Sequence, residues 1–434
     1  MRDQGSGNVM GSDVYAEFEW RGMVYKATEG ARDALRGEKV TCYIGFDPTA
    51  SSLHVGSLLP IIALARLQRF GHSPIAVVGG GTGLIGDPSG RTQERQLLTI
   101  EQAEHNLDGI RAQLAPFLDF EAPSNPARIV NNADWLVPMD LMSFLRDIGK
   151  HFTVNSILAK ESVKRRLEQE EGISFTEFSY LLLQAYDFLM LFDRYGCTVQ
   201  MGGSDQWGNI TAGCDLIRRL RGARAHGVVL PLVTTTGGVK FGKTEAGTVW
   251  LDGARTSAFR FYQFWLNTGD RDAVPYLKYF TFLDEDTIVE LERELARAPE
   301  TRTVQRELAR EITRLVHGEE ALARAERASG LLFGEAITEL NVEEVLEVFG
   351  DVPSTEIALS AFGDGMPLTE LLVKTALASS KSEAARLIRS GGIYVNNRRI
   401  GDERAQLTAE LGIAGRVFVL RKGARAQHVV RLTG

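Results

Sequence analysis

The run from Val40 to Leu67 is the stretch that most constrains the fold. Val40, Cys42 and Ile44 alternate with Thr41 and Tyr43 at the two-residue period of a pleated strand. The strand must end at Asp47-Pro48, because proline has no N–H to give to a ladder. A helical pattern then starts near Leu53 and carries Leu58, Ile61, Ile62, Leu64 and Leu67. Thr49, Ser51, Ser52, His54 and Gly56 therefore fall at a strand-to-helix junction. Unpaired N–H groups and a partial positive charge at a helix start suit a phosphate. Histidine and threonine there can donate hydrogen bonds to charge developing on it. Gly56 lets a flat ring lie on the helix backbone, where a side chain would block it. An ordinary N-capped helix with an incidental histidine is the competing reading of this stretch taken alone.

The pattern repeats downstream. Pro74 to Val78, Ala127 to Val130, Cys197 to Met201 and Val228 to Val233 read as short apolar strands. Helical runs lie between them, at Glu101 to Leu114 and around Pro138 to Arg146, and an earlier helix spans roughly Asp13 to Gly37. Strand–helix alternation over residues 39–235 predicts a doubly wound α/β parallel sheet, with ligands at the carboxyl ends of its strands. At 434 residues, two or three domains are expected. The three cysteines (Cys42, Cys197, Cys214) form no CxxC, which argues against a disulfide framework or zinc site and for a reducing cytoplasm. The seven histidines show no HExxH spacing, so no structural metal is expected. No apolar run is long enough to span a membrane, and the first residues lack a secretory apolar core.

Several constellations bear chemistry. Gly81-Thr-Gly-Leu-Ile-Gly86 fits GxGxxG, but Asp87-Pro88-Ser89-Gly90 follows at once and breaks the helix a dinucleotide site needs. As a tight loop the segment presents Asp87, Arg91 and Arg95. Tyr180, Gln184 and Asp187, at spacings of four and three, share one helical face among leucines. A buried carboxylate at the floor of a pocket can accept the hydrogen of a phenol. Gln200-Met-Gly-Gly-Ser-Asp-Gln-Trp-Gly-Asn209 joins a strand end to a helix start. Ser204 and Asp205 can cap that helix, and paired glycines point to close ligand approach. Lys240-Phe-Gly-Lys243-Thr244 puts two lysines and a hydroxyl on a glycine-rich segment expected to be mobile; alone, two loop lysines mean a solvated surface.

His54-Val-Gly-Ser57 resembles the HIGH motif of class I aminoacyl-tRNA synthetases, and its flanks resemble the bacterial-type tyrosyl-tRNA synthetases. Asp87-Pro-Ser-Gly-Arg91, the run Gln200–Asn209 and Lys240-Phe-Gly-Lys-Thr244, similar to the KMSKS loop, carry the same resemblance. It covers nearly all of residues 39–430 and implies a HUP-type Rossmann-like catalytic domain and tyrosine–tRNA ligase activity. By that resemblance Tyr43 and Asp187 hold the phenolic hydroxyl, Asp87, Tyr180 and Gln184 the ammonium, and Gln206 the carbonyl side of the adenylate. Gly45, Asp47, His54, Gly56, Ser57, Gly203, Asp205 and Lys243 are then expected at ATP, with Asp205 on the ribose. Thr49 and His54 would meet the α- and γ-phosphates, and Lys240, Lys243, Thr244, Arg91 and Arg95 the leaving pyrophosphate. Magnesium would arrive with ATP. The chain departs from the family pattern at Ser57, where HIGH ends in histidine, and at the second, third and fifth KMSKS positions. The resemblance also implies a homodimer with residues near 137–195 at its interface.

The second half changes character. From about Thr256 helix follows helix, clearest in Val304, Leu308, Ile312 and Val316 at spacings of four. By resemblance this is the α-helical domain facing the anticodon, residues 256–350, after a catalytic domain of residues 1–255. Glycines and a proline in 351–366 read as a linker. Residues 367–434 then form a compact basic unit. It holds twelve Lys and Arg against five Asp and Glu, a local +7 in a chain of net −7, leaving −14 on the rest. A basic tail on an acidic body fits binding of a polyanion by one part only. Ser380-Lys-Ser-Glu383 is a capping box, Gly391-Gly392 ends its helix, and Asn396-Asn397 turns a hairpin. This unit resembles the small α+β RNA-binding domain of a ribosomal small-subunit protein. Lys381, Arg386, Arg389, Arg398 and Arg399 would face phosphates of tRNA(Tyr). Two other readings stand beside the ligase: a tryptophanyl enzyme of the same class, and a non-catalytic RNA-binding protein on a synthetase fold.

Overall fold

The computed structural model describes residues 13–434 except 49, 88–98, 161–162, 165–166, 169–171, 237–240, 245–246, 333–341, 351, 364 and 424–425. Ile100, Ala103, Lys243, Thr244, Leu332, Glu344 and Glu347 are described by their backbone alone. The chain divides into two compact units, Met1–Ser257 with Phe264–Val316, and Ala258–Gln263 with His317–Gly434. The division falls beside Gly318, whose φ of 83° breaks the helical run Thr303–Leu332.

Among the described residues the first unit is built on a six-stranded sheet: β1 (Lys26–Ala27), β2 (Thr41–Phe46), β3 (Ser73–Val78), β4 (Arg128–Asn131), β5 (Cys197–Gly203) and β6 (His226–Leu230), in the order β1-β6-β5-β2-β3-β4. Only the edge strand β1 is antiparallel. β2 lies between β3 and β5, with Tyr43 opposite Ile75 on one side and Gln200 on the other. From β2 the chain winds outward to β3 and β4, then returns to the other side for β5 and β6, so the switch point lies between β2 and β5.

β2 ends at Phe46, as Asp47-Pro48 requires. The alternation around Val40 to Ile44 does not mark an exposed face, because Cys42, Tyr43 and Ile44 are all buried between covered faces of the sheet. The helix expected near Leu53 begins instead at Leu58 and runs to Arg69, after a 3₁₀ turn at Val55–Ser57 that His54 caps. The single helix expected over Asp13 to Gly37 is two, Val14–Trp20 and Ala31–Arg36, with β1 between them. Only Leu141–Ser143 and a π turn, Phe144–Ile148, stand where a helix was expected from Pro138 to Arg146. The predicted strand Val228 to Val233 is shifted two to three residues earlier, as β6.

The helix Phe175–Tyr195 starts on a Ser174 cap, which accepts from the Glu177 N–H, and stops at Gly196 in the left-handed conformation. It packs on the helix Trp207–Arg221 and carries Tyr180, Gln184 and Asp187.

The second unit holds a five-stranded sheet ordered Arg398–Ile400, Ile393–Val395, Val417–Lys422, Ala426–Thr433, Ser354–Ala358. Residues 354–358, expected within a linker, are thus an edge strand pairing parallel with the last strand of the chain. Phe418 and Leu420 pack with Leu371, Leu372 and Ile388 on one face, and Val417 and Val419 with Val345 and Phe349 on the other. Ser380 caps the helix Lys381–Arg389, and Asn396 and Asn397, at φ 48° and 59°, make the expected tight hairpin turn.

Candidate active site

A cleft of about 770 Å3 opens at the carboxyl ends of β2, β3 and β5, at the switch point. Its lining includes Tyr43, Asp47, His54, Asp87, Asp187 and Gln206, drawn from segments far apart in sequence.

The floor is a buried carboxylate. Asp187 accepts from Trp135 Nε1–H at 2.7 Å and from Asn132 Nδ2–H at 2.9 Å, one bond to each oxygen. Burial pushes its carboxyl up to about 7; the two hydrogen bonds oppose that rise, and the Asp47 charge adds to it. Tyr43, 2 % exposed, lines the same floor, and its Oη has no hydrogen-bond partner among the described residues. Burial, with Asp187 next, raises the Tyr43 pKa well above the ordinary phenol value, so Oη stays a protonated donor and acceptor. A neutral hydroxyl and a carboxylate side by side suit a ligand group that both gives and takes a hydrogen bond. A phenol does both.

One wall carries a polar chain. Gln184 Oε1 accepts from Asn209 Nδ2–H at 2.8 Å, the same amide nitrogen donates to Gln206 Oε1 at 3.0 Å, and Gln206 Nε2–H donates to Asp87 at 2.7 Å. Tyr180 Oη donates to Asp47 at 3.2 Å, and Thr82 Oγ1 donates to the same carboxylate at 3.2 Å. Burial first, then the charges of Asp47, Asp87 and Asp187, push the Tyr180 pKa well up. Carboxylates gathered this way favour a cation between them. Asp47, assigned from sequence to the nucleotide, stands at this wall.

The opposite wall is more open. His54 is exposed, and its Nδ1 accepts from the Gly56 N–H at 3.0 Å, which leaves the ring proton on Nε2 as its donor. A Cβ on Gly56 would come within 2.6 Å of the His54 Cε1, so the flat ring that this glycine admits is that of His54 itself. Ser57, Gly45, Gly203 and Asp205 also line the cleft, and Asp205 accepts from Gln206 Nε2–H at 3.3 Å. Leu53 to Val55 are laced to residues 249–251: Val55 N–H donates to Val249 O at 3.1 Å and Leu251 N–H to Leu53 O at 2.9 Å. The short strands Lys243–Thr244 (β7) and Gly247–Thr248 (β8) form a hairpin immediately before that lacing. The described part of the lysine segment is thus tied to residues 247–249 by backbone hydrogen bonds.

Thr49, Arg91, Arg95 and Lys240 lie outside the described residues, and Lys243 and Thr244 are placed by backbone only. Asn132, Trp135, Asn209 and Thr82 were missed in the sequence. Asn132 does follow the end of a strand, where ligand-binding groups gather, but nothing in sequence pairs it with Asp187 across 55 positions. In the second unit Lys381, Arg386, Arg389, Arg398 and Arg399 are all exposed. Lys381 pairs with Glu370 at 3.2 Å and Arg389 with Glu403 at 3.1 Å, while Arg399 donates to the Gly391 carbonyl at 3.0 Å.

Comparison with known proteins bears on this architecture. The family model for class I tRNA synthetases (W and Y) matches residues 35–334, and one for the SYY-like C-terminal domain of tyrosine–tRNA ligase matches residues 344–430. A curated tyrosine–tRNA ligase of Roseiflexus castenholzii is 57% identical over 96% of this chain and 99% of its own length. One from Geobacillus kaustophilus is 54% identical over the same shares. Among solved structures, a C-terminally truncated mitochondrial tyrosyl-tRNA synthetase of Aspergillus nidulans superposes with a TM-score of 0.65 at 32% identity, over 73% of this chain and 93% of that one. With both family models matched in order and relatives alike over nearly their full length, the chain belongs to the class I tRNA synthetases, in the tyrosine–tRNA ligase family.

Proposed function

We propose that the cleft activates L-tyrosine with ATP and passes it to tRNA(Tyr), with the residues above in the following roles. The observation that carries the reading is that the Tyr43 hydroxyl, without a hydrogen-bond partner among the described residues, and the buried Asp187 carboxylate both line the cleft floor. The substrate phenol donates to Asp187 and accepts from Tyr43. Phenylalanine would bury the carboxylate without that partner, and tryptophan carries no phenolic proton to that depth. The tyrosine ammonium lies among Asp87, Tyr180 and Gln184, with Asp47 behind Tyr180. Gln206, held by Asp87 and Asn209, faces the carboxylate that is to react.

In the first step that carboxylate attacks the α-phosphorus in line; the new C–O–P bond forms as the bond to the β-phosphate oxygen breaks, releasing pyrophosphate. In the second, a hydroxyl of the terminal tRNA ribose attacks the activated carbonyl and AMP leaves. No side chain becomes covalently attached. The chain contributes alignment and stabilisation of phosphate charge: His54 Nε2–H and Thr49 toward the α- and γ-phosphates, Asp205 with Gly203 at the ribose, and Gly45, Gly56 and Ser57 beside the nucleotide. Lys240, Lys243, Thr244, Arg91 and Arg95 meet the departing pyrophosphate. Magnesium would enter on the ATP phosphates, where it neutralises charge.

The basic surface of the second unit takes the tRNA backbone. Exposed Val137, Leu141, Met142, Val154 and Phe175 support a homodimer through residues near 137–195. Free Cys42, Cys197 and Cys214 suit a reducing cytoplasm, and among the described residues no helix is long and apolar enough to cross a membrane.

ATP–pyrophosphate exchange run separately with tyrosine, phenylalanine and tryptophan tests the activity; exchange with tyrosine alone is expected, and exchange with tryptophan would move the assignment to the neighbouring enzyme. The tyrosine KM should rise toward about tenfold at one pH unit below the Asp187 pKa, because only the ionised carboxylate accepts the phenol without losing a donor, while the ATP KM stays flat. Since the folded pKa lies above the unfolded one, the free protein should also lose stability as pH rises through about 7. Arg386→Glu with Arg398→Glu should leave exchange intact and raise the KM for tRNA about tenfold or more, with a shallower salt dependence. Sedimentation equilibrium should give twice the chain mass, and Met142→Glu should reduce it to one.

A further inference from the structure

The described residues that lead to Lys243 are held by groups to which the proposed reaction assigns no role. Upstream, the Tyr276 hydroxyl donates to the Thr234 carbonyl at 3.2 Å, and the Asp272 carboxylate accepts from the Thr236 N–H at 3.2 Å and from its hydroxyl at 3.3 Å. Both side chains stand on the helix Asp270–Phe280. Two residues before Lys243, Phe241 is 5 % exposed and sits in a box of Phe264, Trp265, Tyr276 and Phe280, with ring centroids 5.1–5.8 Å from its own. It stacks on Phe280 with 5° between planes.

The residue between them completes the path. Gly242 has φ 78°, and a Cβ there would stand 2.6 Å from the Val55 Cγ2, so its backbone lies flat on the His54 segment. The Gly242 carbonyl accepts from Val249 N–H at 3.0 Å, and the Val249 carbonyl accepts from Val55 N–H at 3.1 Å. The box itself is fixed to the helix that follows His54. Arg66, on Leu58–Arg69, donates to the carbonyls of Tyr279 at 3.0 Å and Lys278 at 3.1 Å at the end of Asp270–Phe280. A closed circuit thus runs from His54 through Arg66, the aromatic box, Phe241 and Gly242 back to Val55.

We propose that Phe241 is a positioning residue: seated in the box that the helices Ala258–Leu266 and Asp270–Phe280 form together, its ring holds Gly242 against Val55 and so delivers the Lys243 backbone to the His54 side of the cleft. This rests on the assignment of Lys243 to the pyrophosphate of ATP. It also explains two departures from the KMSKS pattern: an aromatic ring fills the second position because the box is aromatic, and only glycine fits the third.

The test is a double-mutant cycle in the full chain, read by tyrosine-dependent ATP–pyrophosphate exchange and by equilibrium binding of tyrosine. Phe241→Ala is expected to lower kcat or raise the ATP KM by about 10- to 100-fold, with tyrosine affinity unchanged within about twofold. Phe241→Met, which keeps the volume, should recover most of the loss. On a Lys243→Ala background the further loss from Phe241→Ala should shrink below about threefold, since the group being positioned is gone. A full, multiplicative loss on that background overturns the proposal and leaves the role of Lys243 standing. Lys243→Ala with unchanged exchange removes the role of Lys243 and the proposal with it. Phe241→Leu carries the same cycle in case the alanine variant does not fold.

Discussion

The placement of β2 between β3 and β5 is the constraint on which the rest depends. Because the chain winds one way from β2 and returns for β5, the paths leaving these two strands diverge, and a crevice opens at their carboxyl ends. Tyr43 lies in β2 and Asp47 just beyond it, Asp87 follows β3, Asn132 follows β4, and Gly203 to Gln206 close β5. A shift of one residue in the β2 register would turn Tyr43 to the opposite face of the sheet and away from Asp187. The cleft is therefore a consequence of strand order and register before it is a set of side chains.

The two ends of the cleft obey different physics. At the floor, burial makes the Asp187 charge costly, and Trp135 and Asn132 offset only part of that cost. Leaving the remaining demand of such a buried carboxylate unmet is unfavourable in a low dielectric, which is the basis of the discrimination proposed for the phenol. At the mouth His54 is exposed, and its worth lies in orientation: the Gly56 N–H fixes the tautomer, and the absence of a side chain at residue 56 makes room for the ring. The proposed division of labour follows: selection of the phenol at the dry end, stabilisation of phosphate charge at the wet one.

Rigidity at the mouth is supplied from below. Arg66 is 1% exposed; burial, and then the Arg21 charge, pull its pKa well down, against the opposing charge of Glu17. Arg66 and Arg21 serve the Lys278 and Tyr279 carbonyls at the end of Asp270–Phe280, where the helix dipole is negative and the backbone acceptors would otherwise be orphaned, and Arg21 also serves the Leu283 carbonyl beyond it. Removing either guanidinium would strand those acceptors as well as the charge that remains. The clamp joins two helices more than 200 residues apart in sequence, which is why no local pattern announces it.

The sequence by itself determined the alternation of strands and helices, the stop at Asp47-Pro48, the capped helix and Asn-Asn hairpin of the basic unit, and the shared face of Tyr180, Gln184 and Asp187. Each is a short-range matter of period, proline, cap or turn chemistry. Tertiary structure decided the rest. It made the start of the His54 helix a 3₁₀ turn, because residues 53–55 pair with 249–251. It drew residues 354–358 into a sheet with the far end of the chain. It also brought Asn132 and Trp135 to Asp187, Asp47 to Tyr180 and Phe241 into its box, through contacts between segments tens to hundreds of residues apart. Such pairings carry no periodicity, so only the closed fold, where buried polar groups must find partners and rings must fill space, could assign them.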